Sequence, residues 1–361
     1  MHIVKFILNI LISINSQGKP LFLQLMRLRH FTIPVFIPEE ACPNQCVFCN
    51  QYRIAGAECA PSVEEVIRKV ETHLQTIAVD GEVEIGFFGG NFTGIPEKEQ
   101  QAYLESVQPY IKSGRVKSVR LSTRPDYISQ EILDFLKRYH VTSIELGAQS
   151  LDEEVLKLAG RGHTAEQVHE ASLMIMENGF HLGLQMMIGL PGDTPEKSIF
   201  TANEIIRLGA DCTRIYPTLV IKNTKLENLY LDGKYSPLSM EEAISRVADI
   251  VPLFINANVK ILRIGLHPSE GLLDNTSLVA GPFHVAFGEM AFSEIWRRIL
   301  NTMVFENGKR NMLALTVATG MRNAAIGHKA MNKAMLLEEF RKVVFEESAD
   351  FKGFEYHAHT V

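Results

Sequence analysis

The apolar run Thr32-Ile-Pro-Val-Phe-Ile37 leads, after a short interval, into Cys42-Pro-Asn-Gln-Cys46-Val-Phe-Cys49. β-Branched and aromatic residues dominate the first segment, which therefore predicts a β-strand. The second segment places three thiols, which are ligands for soft metals, on the loop that follows this strand. A strand that ends in a loop of metal-ligating side chains is typical of parallel α/β folds, in which ligands gather at the carboxyl ends of the strands.

Outward from this loop, strand-like and helix-like segments alternate along the chain. Strands are predicted over residues 83–88, 116–122, 142–146, 181–188 and 212–217, and a further one over 259–264. Helices are predicted over residues 63–77, 98–111, 130–139, 152–158, 165–178, 196–208 and 240–255. This alternation implies βαβ units with right-handed crossovers, and the apolar strands imply a parallel sheet covered on both faces. The chain is therefore predicted to be an α/β protein.

Candidate binding or catalytic residues follow four of these strands, just as the cysteine loop follows the strand over residues 32–37. They are Gly89-Gly90-Asn91, Ser122-Thr123-Arg124, Gln149-Ser150 and Gly189-Leu190-Pro191. Because parallel strands end at the same edge of a sheet, these segments are predicted to lie beside the three thiols.

The composition excludes several classes of protein. The chain has 361 residues, of which 46% are hydrophobic and 22% charged, so it is neither mostly disordered nor a polytopic membrane protein. Its net charge of −6 argues against strong non-specific binding of nucleic acid but leaves a local basic patch open. Five cysteines are too few for a disulfide scaffold, and their clustering indicates metal chemistry inside the cell. We expect a cytoplasmic protein.

The N-terminal segment contains an apolar run over residues 6–14 that needs an interpretation of its own. No small-residue cleavage site follows it, and it is far shorter than the roughly 20 residues needed to cross a bilayer. We therefore expect no membrane association. Met26 is predicted to be the natural start, with residues 1–25 an upstream extension.

The cysteine spacing C-x3-C-x2-C leaves three kinds of metal site open. Three thiolates on one loop can hold a cubane iron–sulfur cluster and leave one iron for a substrate. A zinc site would need Cys59 as its fourth ligand, and a purely redox cluster would also need a fourth cysteine. Cys212 falls inside a predicted strand, where a small buried residue is the ordinary interpretation.

The spacing, together with the aromatic Phe48 and the segment Gly89-Gly90-Asn91, resembles the radical SAM superfamily. That resemblance implies a 4Fe–4S cluster ligated by Cys42, Cys46 and Cys49, with S-adenosylmethionine chelated to the open iron. It also implies a reducing partner of the flavodoxin or ferredoxin type. Asn91 is a departure, since family members often carry Glu at this position.

Within that superfamily, the chain resembles most the branch typified by the catalytic subunit of Elongator, which modifies tRNA. The segments that carry this resemblance are 121–127, 145–150, 161–164, 189–192, 214–218 and 263–267. Only about 60 residues follow Leu300, too few for the acetyltransferase-like domain of that branch. Gln149-Ser150 and the segment around Gly189 also resemble coproporphyrinogen oxidase-like proteins, so a tetrapyrrole or other small molecule remains an alternative substrate.

The resemblance implies a set of S-adenosylmethionine contacts, and several of these residues have a structural alternative. The predicted contacts are Phe48, Gly89, Gly90, Asn91, Ser122, Arg124, Glu145, Gln149, Gln185 and Gly189. Arg124 can bind a carboxylate through its planar fork or pair internally with Asp126. Glu145, if buried, needs a partner, and Arg161 is the predicted one. The two glutamines can equally fill a polar barrel interior.

Four further features of the sequence each allow a functional or a structural interpretation. Tyr216 is a substrate partner or, by preference, a core phenol, and His284 and Glu289 lie at the pocket mouth or in a surface loop. The basic residues that could bind a phosphate backbone or form a solvated face are Lys309, Arg310, Arg322, Lys329 and Lys333. Residues 340–361 are predicted to be a helix end and a frayed tail.

Together these features predict a partial (β/α)6 TIM-type barrel over residues 26–265, with a C-terminal extension over 266–361. The predicted function is a radical SAM enzyme directed at a base in RNA, with tRNA as the expected partner. The alternatives are a radical SAM enzyme for a small molecule, and a non-enzymatic iron–sulfur or zinc binding module.

Overall fold

A seven-stranded parallel sheet forms the larger part of the computed structural model, which describes residues 30–38, 42, 46–55, 59–79, 81–303 and 310–360. Its strands pair side by side in the order in which they occur along the chain. The strands are β1 (His30–Ile37), β2 (Glu82–Gly89), β3 (Ser118–Thr123), β4 (Val141–Gln149), β5 (His181–Ile188), β6 (Cys212–Pro217) and β8 (Lys260–Ile264). The prediction of a parallel α/β fold is confirmed.

Helices follow successive strands, and the longer ones pack against the outer face of this sheet. They are α1 (Gln51–Ala55), α2 (Val63–Thr76), α3 (Glu97–Lys112), α4 (Gln130–Lys137), α5 (Glu153–Leu158), α6 (Ala165–Glu177), α7 (Pro195–Arg207), α8 (Lys225–Leu231), α9 (Met240–Asn256) and α10 (Glu270–Leu273). Capping boxes set the starts of α2 and α9: Ser62 and Ser239 accept from the backbone three residues on, where Glu65 and Glu242 return the contact.

Alternation along the strands separates an apolar outer face from a polar inner face. In β1, Ile33 and Val35 are buried against the helices, whereas Thr32 and Phe36 line an internal cavity. Residues of β1 and of β8 line this same cavity, so the sheet is curled until its first and last strands approach each other. The predicted partial TIM-type barrel is therefore confirmed.

The C-terminal part of the chain forms a second core around Trp296, which is fully buried. Helix α11 (Phe287–Asn301) carries that residue, and a three-stranded sheet contributes the other side of this core. The elements of this part are β10 (Arg310–Ala318), α12 (Arg322–Ile326), α13 (Met331–Glu339), β11 (Phe340–Ser348) and β12 (Tyr356–Thr360). A separate antiparallel pair joins β7 (Val220–Ile221) and β9 (Leu278–Ala280).

The prediction of a helix end and a frayed tail over residues 340–361 is wrong, because most of that segment is strand. β11 is parallel to β10, which lies more than twenty residues upstream. β12 is antiparallel to β10 and pairs with its other edge. Phe340, Val343 and Phe345 bury their side chains in the second core. Such pairing between distant segments leaves no signal in the local pattern.

The predicted extension over residues 1–25 and the predicted start at Met26 lie outside the described residues. The boundary between barrel and extension near residue 265 stays a prediction. None of the helices in the described ranges is long and apolar enough to cross a membrane.

Candidate active site

A cavity of about 570 Å³ runs through the inside of the barrel, from His30 and Lys260 at the amino ends of the first and last strands to Gly89 and Gln149 at carboxyl ends. A smaller cavity of about 80 Å³ adjoins it, and both are lined by Phe48, Cys49, Gln51, Gly89, Ser122, Gln149 and Gln185. These residues come from β2, β3, β4, β5, the loop after β1 and the start of α1. The topology therefore brings the predicted strand-end residues to one place, as parallel strands require.

The three thiols of the C-x3-C-x2-C loop, Cys42, Cys46 and Cys49, all line the smaller cavity. The backbone between them is held in place, since Val47 donates to the Ala159 carbonyl at 3.0 Å and its own carbonyl accepts from Leu226 at 2.7 Å. These contacts fasten the loop to two later parts of the chain.

The remaining cysteines lie elsewhere. Cys59 is exposed and lines neither cavity, which removes the fourth ligand of the zinc alternative. Cys212 is buried on β6, where burial raises the pKa of its thiol. Within the described part of the chain, no three His, Cys, Asp or Glu side chains converge on a point that would hold a single metal ion. A cubane cluster is larger than an ion, so its thiolates surround a space instead.

Arg161 contacts the thiol loop directly, a role that the sequence did not reveal. Its Nη1 lies 3.1 Å from the Cys46 sulfur, and its Nη2 donates to the Gly147 carbonyl. The sequence marks segment 161–164 only through its resemblance to the Elongator branch, and it predicts Glu145, not a sulfur, as the partner of Arg161. A guanidinium against a cysteine sulfur suits a thiolate that ligates a cluster, because hydrogen bonds to the sulfurs tune such clusters.

Glycine is required at the end of β2 for two reasons. Gly89 has φ +120°, and a Cβ there would collide with the Ile37 carbonyl oxygen. Its own carbonyl accepts from Gln51 Nε2 at 2.9 Å, and the Gly90 N–H donates to Ile37 at 3.0 Å. Both glycines line the smaller cavity, so their backbone presents an open edge to it.

Asn91, the residue after these glycines, uses its side chain to join two strand ends. Its Oδ1 accepts from Thr123 Oγ1 at 2.6 Å and from the Arg124 N–H at 3.2 Å. The residue is buried and lines neither cavity. Its side chain therefore holds the ends of β2 and β3 together.

Gln149 presents an unsatisfied polar atom at the end of β4. Its φ of +67° is unusual for a residue other than glycine, and its buried Oε1 has no hydrogen-bond partner among the described residues. Buried polar atoms are nearly always paired, so this oxygen is suited to a donor from a bound molecule. Ser122 and Gln185 line the same two cavities, and Gln185 Nε2 donates to Glu145 at 3.0 Å.

Arg124 combines both interpretations that its sequence position allowed. Its Nε and Nη2 donate to Asp126 at 2.9 and 2.8 Å, which is the predicted internal pair. Nη2 also donates to the Arg161 carbonyl at 2.9 Å. Its Nη1 is buried without a partner in the described structure, and the residue lines the smaller cavity. One donor of the guanidinium thus remains for an anionic ligand.

Glu145 lies at the centre of a buried ion-pair network behind the cavity wall. Arg214 donates to it at 2.6 and 3.0 Å, and Arg120 donates at 3.1 Å. The predicted pairing with Arg161 is therefore wrong. Burial favours a raised pKa for this carboxyl, but the hydrogen bonds and charges of the two arginines outweigh it and hold the pKa low. Glu145 itself lines neither cavity.

Gly189 and Tyr216 lie in different places relative to the two cavities. Gly189 lines neither cavity: its N–H donates to Asp193 at 2.7 Å and its carbonyl accepts from Tyr235 at 2.6 Å. Tyr216 lines the larger cavity, and burial raises the pKa of its phenol. The tyrosine is therefore part of the cavity wall as well as the core.

His284 and Glu289 line neither cavity, which does not favour the pocket-mouth alternative, and Glu289 lies in helix α11 instead of a surface loop. Both contact His328 in the C-terminal part of the chain. Glu289 Oε1 lies 3.1 Å from His328 Nδ1, and the two imidazole rings meet edge to face at 5.8 Å.

Comparison with known proteins gives two consecutive family matches. Residues 36–204 match the Radical SAM superfamily, and residues 210–297 match the Radical_SAM C-terminal domain. Together these cover most of the barrel and the start of the C-terminal part.

Curated relatives include a tRNA uridine(34) acetyltransferase of Dehalococcoides mccartyi, 27% identical over 257 residues, which are 62% of this chain and 56% of the relative. Elongator complex protein 3 of Schizosaccharomyces pombe is 29% identical over 193 residues, or 47% of this chain and 36% of that protein. The chain thus spans between about a third and about a half of the curated relatives it matches.

Among solved structures, the archaeal Methanocaldococcus infernus Elp3 with an N-terminal deletion superposes with a TM-score of 0.61 at 21% identity. The superposition covers 74% of this chain and 63% of the other, and it shows a shared fold. From its cysteine loop, its curled parallel sheet and these matches, the chain belongs to the radical SAM superfamily, as an enzyme similar to the Elongator-type proteins.

Proposed function

We propose that this radical SAM enzyme acts on a base in RNA, at the cavity formed by the carboxyl ends of its strands. The observation that carries the proposal is the convergence on one small cavity of three thiols, the Gln149 Oε1 and the Arg124 Nη1; neither of the last two atoms has a hydrogen-bond partner among the described residues. That cavity opens beside a chamber of about 570 Å³. The relatives named for tRNA uridine(34) modification support RNA as the substrate class.

The residues present fit the cofactors of the superfamily, a 4Fe–4S cluster and S-adenosylmethionine. Cys42, Cys46 and Cys49 would ligate the cluster, because soft thiolates suit iron–sulfur centres. Reductive cleavage of S-adenosylmethionine at such a cluster supplies a 5′-deoxyadenosyl radical that abstracts hydrogen. Arg161 would keep a positive charge against the Cys46 sulfur.

The cavity walls offer the polar contacts that S-adenosylmethionine needs. Arg124 Nη1 would bind its carboxylate, because this donor is buried and unpaired in the described structure. Ser122, Gln149 and Gln185 would bind its ribose and adenine edges. The glycine edge at residues 89–90 lets the ligand approach the backbone, and Phe48 covers the apolar side.

Three predicted contacts are better proposed as positioning residues. Asn91 would hold the ends of β2 and β3 through its contacts with Thr123 and Arg124. Glu145 would orient Gln185, whose amide donates to it at 3.0 Å. Gly189 would shape the turn after β5.

The larger chamber suits a planar base attached to an anionic backbone. Phe36, Phe88 and Met187 provide an apolar wall, and Arg214 lies over the Phe88 ring at 4.9 Å. Arg263 and other basic side chains line the chamber near β8, where a phosphate would be attracted. Radical chemistry also requires a one-electron reductant, for which we propose a flavodoxin or ferredoxin.

The test compares the modified nucleosides of RNA from a deletion strain with those of the parent strain. We expect one modified nucleoside to be lost, to return with the wild-type gene, and to stay absent with Cys46→Ala. Cys59→Ala is the matched control and should restore the nucleoside. An identical nucleoside profile in the deletion strain would contradict RNA as substrate and favour the small-molecule alternative.

A further inference from the structure

The C-terminal part of the chain contains two parallel neighbouring strands joined by two short helices. The order is β10, α12, the four-residue loop Gly327-His-Lys-Ala330, α13 and β11. KH modules of RNA-binding proteins also place a Gly-x-x-Gly loop, which clamps the backbone of a few nucleotides, in a small α/β unit. Here the last position of the loop is Ala330.

The loop is held in an unusual backbone conformation. Gly327 has φ +87°, and a Cβ there would lie 2.8 Å from the Asn332 side chain. Lys329 and Ala330 both have left-handed φ values, +53° and +60°, which are costly for residues other than glycine. The surrounding contacts must compensate for this cost.

Those contacts come from helix α11. The His328 N–H donates to Ser293 Oγ at 2.8 Å, and Asn332 Nδ2 donates to the Ser293 carbonyl at 2.9 Å. Glu289 holds the His328 ring at 3.1 Å. The loop is thereby fastened to α11, while Lys329 and Ala330 remain exposed to solvent.

The loop carries Lys329 and the first turn of α13 carries Lys333, although the whole chain carries −6; Glu289 is the carboxylate that contacts the loop, through His328. Arg322, Lys329 and Lys333 form no ion pair within the described ranges, and the sequence has no acidic residue between positions 309 and 333. Residues 309 and 310 belong to the predicted basic run, but the first lies outside the described residues and the side chain of the second is not described. A local basic site on an acidic protein directs a polyanion to that one place.

The loop also lies toward the same end of the barrel as the cavity. Helix α11 begins beside the carboxyl end of β8, where a Cβ at Gly265 would be 3.2 Å from Phe287 and one at Gly288 would be 3.3 Å from the Ile264 carbonyl. Glu289 and Ser293, which hold the loop, lie in the first two turns of that helix, within about 10 Å of its start at 1.5 Å per residue. A ligand strand bound at the loop would therefore lie near the cavity.

We propose that the loop 327–330 and the first turn of α13 bind the sugar–phosphate backbone of single-stranded RNA, next to the active site. Lys329 and Lys333 neutralise phosphates of the bound strand. This inference rests on the proposed function, because it supplies the site that would hold the RNA while one base enters the cavity. The His284 and Glu289 side chains act here by supporting His328.

The test measures binding of total tRNA and of a ten-nucleotide uridine RNA to the full-length protein at several salt concentrations. Lys329→Asp/Lys333→Asp is compared with Lys112→Asp/Lys117→Asp, an equal charge change on two exposed residues before β3. We expect the first variant to bind RNA at least tenfold more weakly. Its salt slope should fall by about 1.4, because each lost phosphate contact on a single strand contributes about 0.7. A neutral variant, Lys329→Gln/Lys333→Gln, should show the same direction of change.

Three results would overturn this inference: no RNA binding by the wild type, an unchanged affinity and slope in the loop variants, or an equal loss in the control variant. Tighter binding of a DNA oligonucleotide of the same sequence would overturn the assignment to RNA. Formation of 5′-deoxyadenosine without RNA is measured in parallel and should be the same in all variants. If the wild type binds RNA as expected but forms no 5′-deoxyadenosine, the proposed function fails and the binding site stands.

Discussion

Replacing Glu145 by glutamine tests whether this residue supports the cavity from behind or contacts the cofactor. The carboxylate is 1% exposed and accepts from Arg214 at 2.6 and 3.0 Å, from Arg120 at 3.1 Å and from Gln185 at 3.0 Å. Glutamine has nearly the same shape but no charge. Both guanidinium groups would then lose their shared counter-ion.

The expected loss of stability follows from these contacts. Removing one partner of a buried ion pair costs about 3–5 kcal/mol, because the remaining charge is left uncompensated. Arg120 keeps a second carboxylate, Glu84, at 2.9 Å, and the glutamine carbonyl still accepts one hydrogen bond. We therefore expect the lower end of the range, about 3 kcal/mol, in the free energy of unfolding. Urea denaturation of the apoprotein at pH 7 measures it.

The control is Glu154→Gln, which removes an ion pair with Lys197 from a glutamate that is 68% exposed. Exposed pairs contribute less than about 1 kcal/mol, so this variant should unfold almost as the wild type does. A Glu145→Gln variant as stable as Glu154→Gln would refute the structural role. If that stable variant also bound S-adenosylmethionine poorly, the direct contact expected from the sequence would be correct.

Three further predictions concern the backbone and the charges around the thiols. Gly89→Ala should lower the free energy of unfolding by about 2–3 kcal/mol and impair iron incorporation, because the new Cβ would meet the Ile37 carbonyl at a positive φ. The control is Gly114→Ala, whose Cβ would meet nothing within 4 Å and which should therefore lower the free energy of unfolding less. Arg161→Gln should lower the reduction potential of the reconstituted cluster by about 50 mV, the equivalent of one hydrogen bond in a one-electron couple, and an unchanged potential in a redox titration would contradict the contact with Cys46. Burial and the charges of two arginines lower the pKa of His163 to about 3, so its contribution to stability is complete above pH 6.5 and is lost as the pH falls from 6.5 towards 3. The free energy of unfolding of the His163→Asn apoprotein, measured in urea, should therefore fall less steeply than that of the wild type between pH 6.5 and 3. Equal pH dependence of the two proteins would contradict the low pKa of His163.

Strong local patterns made the barrel predictable. Residues 181–188 and 212–217 were expected as strands, and these are the observed bounds of β5 and β6. The first ends before glycine and the second ends at proline, where the signals of strand and turn agree. The gathering of the cysteine loop with the ends of β2, β3 and β4 followed from parallel topology alone.

Side-chain partners were less predictable, because they depend on residues far apart in the chain. Nothing local to Glu145 indicated that it would meet arginines from β3 and β6, and nothing local to Arg161 indicated a sulfur. The strands after residue 310 were missed because β11 and β12 both pair with β10. Their burial pattern depends on a second core that the sequence alone does not delimit.

The measurement that tests the account most directly is the formation of 5′-deoxyadenosine by single cysteine variants. Each of the five cysteines is replaced by alanine, and the anaerobically reconstituted proteins are given S-adenosylmethionine and dithionite. We predict that replacement of Cys42, Cys46 or Cys49 abolishes the product, because these thiols line the small cavity. Replacement of Cys59 or Cys212 should leave it. Absence of product from the wild type, product from one of the first three variants, or its loss in Cys59→Ala would contradict the proposed cluster site.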